Sequence, residues 1–387
     1  MAGATTRLTA KRIQYRVGHG GFHATFVNPS APSLDDRLTY VYDVGAKPHK
    51  ALLLSAIDDF SAGVASYGIS RVDYIFLSHI DEDHVNGLVE LLDALKRHVP
   101  QITVLNVVLP WLSPVQKLLT QARNNHRQKE TAVTNLVSSD EEADKFLERL
   151  GVGNVIRVTA EGDGVGTTGS VRTQGKPLAH SLSAWTLLPI KMPTPPGFEA
   201  AFKTELDRLI SGAKLDPNDT KDHAKIIAKH RPSIRKAMNK VAGLVNVLPA
   251  HITNWSSLAL LHGADLPSPA CTVTTPANHA DIDCTHGWLH TGDLPLKEAA
   301  VWANLKSKLT KAKLGTPLCA VAAPHHGSQN DHEDDLYAYT TPGTVFLNAG
   351  RKLSGVNKGT PSYNYNLPIV IASAKHHRAN PIELDNP

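Results

Sequence analysis

Six consecutive residues hold the densest set of potential metal donors in the chain: His79-Ile80-Asp81-Glu82-Asp83-His84, with Asn86-Gly87 directly behind them. Imidazole nitrogens and carboxylate oxygens are the usual protein donors to divalent cations, and such a cluster can be divided between two adjacent ions. The spacing assigns His79 and Asp81 to one ion and Asp83 and His84 to the other. A solvated acidic turn is the alternative, but solubility alone gives no reason for two imidazoles to bracket the acids. Two later segments supply what the cluster lacks. Leu289-His290-Thr291-Gly292-Asp293 offers a carboxylate able to bridge two metals through both oxygens, and Ala323-Pro324-His325-His326-Gly327-Ser328 adds paired histidines.

All three segments follow apolar runs of strand type. Val72 to Ser78 reads as a buried strand before the first cluster, Gly287 to His290 as one before Asp293, and Leu318 to Ala323 as one before the paired histidines. Earlier strands are expected at Ile13–Val17, Phe22–Val27 and Thr39–Gly45, with helices over Ala51–Tyr67 and Gly87–His98 and a strand over Ile102–Leu109. The pattern resumes at Ser256–Leu261, a helix over Leu296–Lys313 and a strand at Thr344–Asn348. Strands alternating with helices indicate an α/β architecture with its chemistry at strand ends. Between the halves, Gly162–Ser183 reads as a loop and Pro196–Val247 as a mostly helical insertion broken at Asp216-Pro217-Asn218-Asp219. The spelling Gly164-Val165-Gly166-Thr167-Thr168-Gly169 matches GxGxxG, but no helix follows to hold a phosphate, so it implies no dinucleotide site.

Composition sets outer bounds. With 41% hydrophobic and 20% charged residues, the 387-residue chain belongs to neither the disordered nor the collagen-like class. A net charge of +4 is too small to identify a nucleic-acid protein from bulk charge, so any basic surface must be local. Three cysteines without a CxxC pair argue against a disulfide framework and a zinc knot, and fit a reducing interior. With no signal-peptide core and no apolar run of membrane length, a cytoplasmic chain with no membrane partner is the expectation.

The ordered motifs resemble the metallo-β-lactamase fold, whose usual signature is HxHxDH. They are most similar to the soluble domain of ComEC-type DNA-uptake proteins, where it reads HxDxDH as at His79–His84. The resemblance also takes in Val17-Gly18-His19-Gly20, Asp43-Val44-Gly45, Asn254-Trp255-Ser256-Ser257-Leu258, Thr291-Gly292-Asp293 and the Pro-His-His-Gly-Ser run. It implies an αββα sandwich forming a single domain over residues 1–387, with the helical basic insertion at 196–247, and a hydrolase holding two divalent ions, zinc or manganese. Its members cleave phosphodiesters, thioesters, lactones and β-lactams, so the fold does not choose a substrate.

The expected ligands are His79, Asp81, Asp83, His84, Asp293 and His325, with Asp83, His325 and His326 in catalytic roles. Attack by a water acidified by the metals and held by Asp83 on a phosphorus or carbonyl centre is the expected reaction. His325 is expected nearer the metals, and His326 as either a proton donor or a hydrogen-bond partner of a ligand. Asn254 is either a substrate contact or a turn residue. His19 stands where ComEC-type chains usually have glutamine and joins the expected substrate contacts. Thr360 stands where they often have a ligand histidine, a place that water, His325 or His326, or a later histidine such as His376 or His377 could fill; left unfilled, it makes a metal-poor binding or regulatory protein the alternative to a hydrolase. Asp81 in place of an imidazole hardens the first site toward Mn²⁺.

Lys225, Lys229, Arg231, Arg235, Lys236 and Lys240 fall in one stretch without an acid among them. This stretch is either a solvated helix face or a phosphate-binding one, and the second reading makes Lys225, Lys229, Arg235 and Lys236 contacts for an anionic substrate, nucleic acid or nucleotide. No aromatic platform accompanies them, so base stacking is not expected.

Overall fold

A computed structural model of the chain describes residues 8–29, 36–47, 50–124, 132–160, 171–173, 176–211, 216–264, 271–276, 278–312, 317–348 and 367–384. Gly164–Gly169, Lys313 and Thr360 lie outside these residues.

Fifteen strands are present among the described residues. They are β1 (Leu8–Tyr15), β2 (His19–Pro29), β3 (Leu38–Lys47), β4 (Arg71–Phe76), β5 (Thr103–Pro110), β6 (Val152–Val158), β7 (Val171–Thr173) and β8 (Trp185–Lys191). They continue as β9 (Leu258–Ala264), β10 (Thr272–Thr274), β11 (His279–Asp283), β12 (Trp288–His290), β13 (Ala320–Ala322), β14 (Thr344–Leu347) and β15 (Asn380–Glu383). A nine-stranded sheet runs β10-β11-β1-β2-β3-β4-β5-β6-β7, and a six-stranded sheet runs β15-β14-β13-β12-β9-β8.

The helices are α1 (Lys50–Ser66), α2 (Glu82–Val85), α3 (Leu88–His98), α4 (Pro114–Arg123), α5 (Ala132–Leu136) and α6 (Asp140–Arg149). In the second half they are α7 (Phe198–Leu209), α8 (Thr220–Leu244), α9 (Pro249–Asn254), α10 (Ala299–Lys311), α11 (Asp335–Thr340) and α12 (Leu367–His376).

Alternation along the strands divides the core into layers. In β9, Leu258 and Leu260 join Tyr40, Phe76 and Val108 between the sheets, while Ala259 and Leu261 join the helix layer with Leu118, Phe202, Ile234 and Leu305. On the other side, Leu53, Ile57, Phe60 and Val64 of α1 and Leu91, Leu92 and Leu95 of α3 repeat at helical spacing and pack with Ile75 and Val107. The result is helix, sheet, sheet, helix. No described helix is long and apolar enough to cross a membrane.

The helical insertion at 196–247 forms α7 and α8 between β8 and β9, with the basic stretch on α8; β8 and β9 are themselves antiparallel neighbours, with Lys191 opposite Leu258. Helix α8 is kinked at His230 (φ −127°, ψ 21°), because Pro232 removes an amide donor and crowds the preceding turn.

The cysteine expectation is corrected. Antiparallel pairing puts Thr272 opposite Asp283, so the flanking Cys271 and Cys284 meet with Cα atoms 4.8 Å apart and form a disulfide, leaving Cys319 buried as a free thiol. The odd count concealed one bridge plus one thiol.

Candidate metal centre

The three ligand-bearing segments lie at neighbouring strand ends. Strand β4 runs parallel to β3 and leads through Leu77 and Ser78 into His79–Asp81 and α2, while β12 and β13 run parallel and deliver Asp293 and the His325-His326 turn. Both histidines of that turn adopt left-handed backbone conformations (φ 44° and 57°), a local cost where adjacent side chains both reach Asp293.

Asp293 is central, and each of its oxygens faces a different set of donors. Oδ2 lies 3.4 Å from His79 Nε2 and 3.4 Å from His325 Nε2, with Asp81 Oδ2 3.6 Å from the same His79 nitrogen. Oδ1 lies 3.3 Å from His84 Nε2 and 3.6 Å from His326 Nε2. Beyond His326, Asp83 Oδ2 is 3.8 Å away and is held by His19 Nε2 at 3.0 Å.

The imidazoles are fixed from behind. Asp43 accepts the Ser78 amide (2.6 Å), the Ser78 hydroxyl (2.8 Å) and His84 Nδ1 (2.8 Å). With its proton given to Asp43, Ser78 Oγ accepts from His79 Nδ1 at 3.0 Å. His325 Nδ1 donates to Asp331 at 2.6 Å. In each ring the proton on Nδ1 leaves the Nε2 lone pair facing Asp293. Asp43 reaches this place because it is the extra residue of a bulge, lying between the Phe22–Val44 and His23–Tyr42 pairs with φ 55°.

Burial opposes every charge here, and at His79, His84 and Asp81 the neighbouring groups overcome it. The Asp293 and Asp81 carboxylates push His79 up to about 9 despite its burial. Asp293 and Asp43 likewise hold His84 well above the ordinary imidazole range. Asp81 is drawn down to about 2 by Arg123 and His79, against its own burial. The carboxylates thus favour positive charge at their centre, which protonated imidazoles or bound cations can supply. His79 Nε2 and Asp293 Oδ1 are buried without a hydrogen-bond partner, and the donors around Asp293 stand 3.3 to 3.6 Å apart. Bonds of roughly 2.0–2.2 Å to a tetrahedral ion would set donors about 3.4 Å apart, so the residues fit divalent cations on both sides of the carboxylate.

The remaining expected site residues take different places. His19, expected as a substrate contact, stands with Asp83 and His326 as a potential donor set. Asn254 is buried, accepts from Arg123 and places its amide 3.3 Å from His325 Nδ1. Lys225, Lys229, Arg235 and Lys236 are exposed on α8, and Lys225 pairs with Asp222. His377 pairs with Asp334 at 3.1 Å instead of completing the centre. Sequence reasoning missed Arg123, whose guanidinium lies 3.0 Å from Asp81 Oδ2, and Asn124, which donates to Asp81 Oδ1 at 3.1 Å. Asp331 and His251 were also missed. No sequence signal marks these four, since each belongs to an unremarkable helix end or turn.

Beside the centre, a cavity of about 600 Å³ opens between α4, α8 and α9. Its walls are mostly apolar (Leu119, Ile234, Met238), with Arg123, Arg231 and Arg235 among them. Arg123 thus spans the cavity and the Asp81 side of the centre.

Residues 31–122 match the Metallo-beta-lactamase superfamily. Among solved structures, the chain is similar to the metallo-β-lactamase MIM-1 from Novosphingobium pentaromativorans (11% identity, 81% of this chain and 76% of that one, TM-score 0.28). It is also similar to a diphosphatase of the PhnP family (9% identity, 88% and 85%, TM-score 0.34) and to a long-form RNase Z from yeast (12% identity, 88% and 37%, TM-score 0.33). No curated protein matches at a significant level. The chain has the metallo-β-lactamase fold, an α/β sandwich with mixed sheets.

Proposed function

We propose that the chain is a dinuclear metal-dependent hydrolase that cleaves a phosphodiester of nucleic acid or a nucleotide. The observation carrying the hydrolase reading is Asp293, whose two oxygens address separate donor sets. The site would hold one cation among His79, Asp81, His325 and Asp293, and a second among His84, His326, Asp83, His19 and Asp293. Two divalent cations would supply an activated water and polarise the scissile group. The chain's own residues do the rest. Asp83, anchored by His19, orients the attacking water, and Asp331 keeps the His325 proton on Nδ1. His326, whose proton affinity is pressed well down by burial and by His19, stays unprotonated and keeps its lone pair available to the second cation.

The phosphodiester is supported by the three arginines of the cavity, since a guanidinium pairs with phosphate through two parallel hydrogen bonds. The ComEC-type HxDxDH spelling supports the same choice. Arg235 reads the substrate inside the cavity, and Lys225, Lys229 and Lys236 attract it from the exposed face of α8. The apolar walls favour a second reading, hydrolysis of an ester, lactone or β-lactam with an apolar body.

Metal-free protein, reloaded with Mn²⁺ or Zn²⁺, is to be assayed against chromogenic phosphodiester, lactone and β-lactam substrates together with DNA and RNA. Phosphodiester cleavage is expected, with Mn²⁺ at least as effective as Zn²⁺, because Asp81 and Asp83 harden the donor set. Neutralising Lys225, Lys229, Arg235 and Lys236 together should raise KM far more than it lowers kcat. The salt dependence should flatten by about one unit of slope for each substrate phosphate that the variant leaves without a cationic partner. Cleavage of the lactone or β-lactam alone would establish the second reading.

A further inference from the structure

Three imidazoles that the candidate centre does not use meet between the two sheets. His23 on β2, His262 on β9 and His290 on β12 are all buried, and each offers a nitrogen within 4.8 Å of the others. Their ring centroids are 5.6, 4.4 and 5.2 Å apart. A tetrahedral ion with metal–nitrogen bonds of about 2.0–2.1 Å would hold imidazole centroids roughly 5 Å apart. Two rings are anchored from behind, His262 by a Tyr40 hydroxyl 2.5 Å from Nδ1 and His23 by a Thr25 hydroxyl 2.9 Å from Nε2. The opposite nitrogens, His262 Nε2 and His23 Nδ1, have no hydrogen-bond partner, and neither does His290 Nε2. Buried polar atoms are almost always paired, so three orphaned nitrogens on rings this close call for an occupant.

We infer that His23, His262 and His290 form a further metal site, a structural Zn²⁺ site that ties the nine-stranded sheet to the six-stranded one. The all-imidazole shell is softer than the mixed donor set around Asp293 and selects zinc over manganese. Burial and the nearby Arg12 guanidinium keep all three rings unprotonated at neutral pH, leaving their lone pairs for a metal. Arg12 is the evident objection, because it is fully buried and stacked over Trp185 and Trp288 at 5.1 and 5.6 Å. Its three side-chain nitrogens have no hydrogen-bond partner either. An anionic fourth donor on the ion, hydroxide or chloride, would offset one of the three positive charges that the ion and Arg12 bring together.

The test is zinc content. The unmodified chain, loaded with excess Zn²⁺ and desalted, should hold one ion per chain more than His262→Phe and more than His23→Gln, each checked for folding by circular dichroism. The Mn²⁺-loaded chain should lack that ion. Should both variants fail to fold, anomalous scattering at the zinc edge from crystals of the unmodified chain decides, with a peak expected among the three rings. Equal zinc content in all three proteins, or water density without a zinc signal among the rings, overturns the inference. Neither outcome bears on the centre around Asp293.

Discussion

Asp293→Ala should lower kcat/KM by roughly a thousandfold or more, since a bridging carboxylate organises both cations and their contribution to the transition state is several kcal/mol. The variant removes both oxygens that separate the two donor sets, so metal content should fall with activity. Far-ultraviolet circular dichroism should be unchanged, because the side chain joins none of the apolar clusters that hold the sheets and helices together. Asp83→Ala should be comparably inactive while retaining more metal, since Asp83 touches one donor set only. Full activity in either variant would remove these residues from the centre.

Gly45→Ala should cost about a hundredfold in kcat/KM without touching any ligand, a penalty of the size that a misplacement near 1 Å imposes. A Cβ at this position would lie 2.4 Å from the Asp83 carbonyl carbon and 2.5 Å from the His84 nitrogen. Both are backbone atoms, so the strain cannot be relieved by a rotamer change, and the turn carrying two ligands must move. Gly63→Ala in α1 is the control, because its Cβ meets nothing within 4 Å. It should raise stability by about 0.5–1 kcal/mol, the usual gain from replacing a helix-interior glycine. Activity, metal content and thermal melts of the two variants, measured side by side, separate a displaced turn from a general loss of stability. Equal activity in both would show that the turn tolerates the shift.

The donors around Asp293 were legible because donor-rich turns directly follow apolar runs, and no long-range pairing is needed to see that. The strands themselves were legible for the same reason, with Val72–Ser78 and Thr39–Gly45 falling on β4 and β3. What stayed hidden depends on register. His23, His262 and His290 are lone histidines in three separate strands: the pairing of β12 with β9 sets His262 beside His290, and the packing of one sheet on the other adds His23. Cys271 and Cys284 were concealed in the same way by the β10–β11 pairing. Asp43 was visible as a motif residue, but its function in holding Ser78 and His84 comes from a bulge that spacing does not reveal. Arg123 reaches Asp81 only because α4 ends beside it.

The neighbouring positions of Lys191 and Leu258 matter for how such a chain can change over time. Residues 192–257 leave the six-stranded sheet and return to it at adjacent points, and each doubling of a connecting segment adds only about 0.6 kcal/mol of closure entropy. Changing the length of this segment therefore costs little in closure entropy, but Phe202 of α7 and Ile234 of α8 belong to the helix layer of the core, so any replacement must still cover Ala259 and Leu261. The return leg is not free to vary in this way: in α9, Asn254 reaches His325, and His251 lies 3.4 Å from Asp331. On the proposed function, substitutions on the exposed face of α8 would alter which substrate is held, while His79–His84, Asp293 and the His325-His326 turn all lie outside the segment.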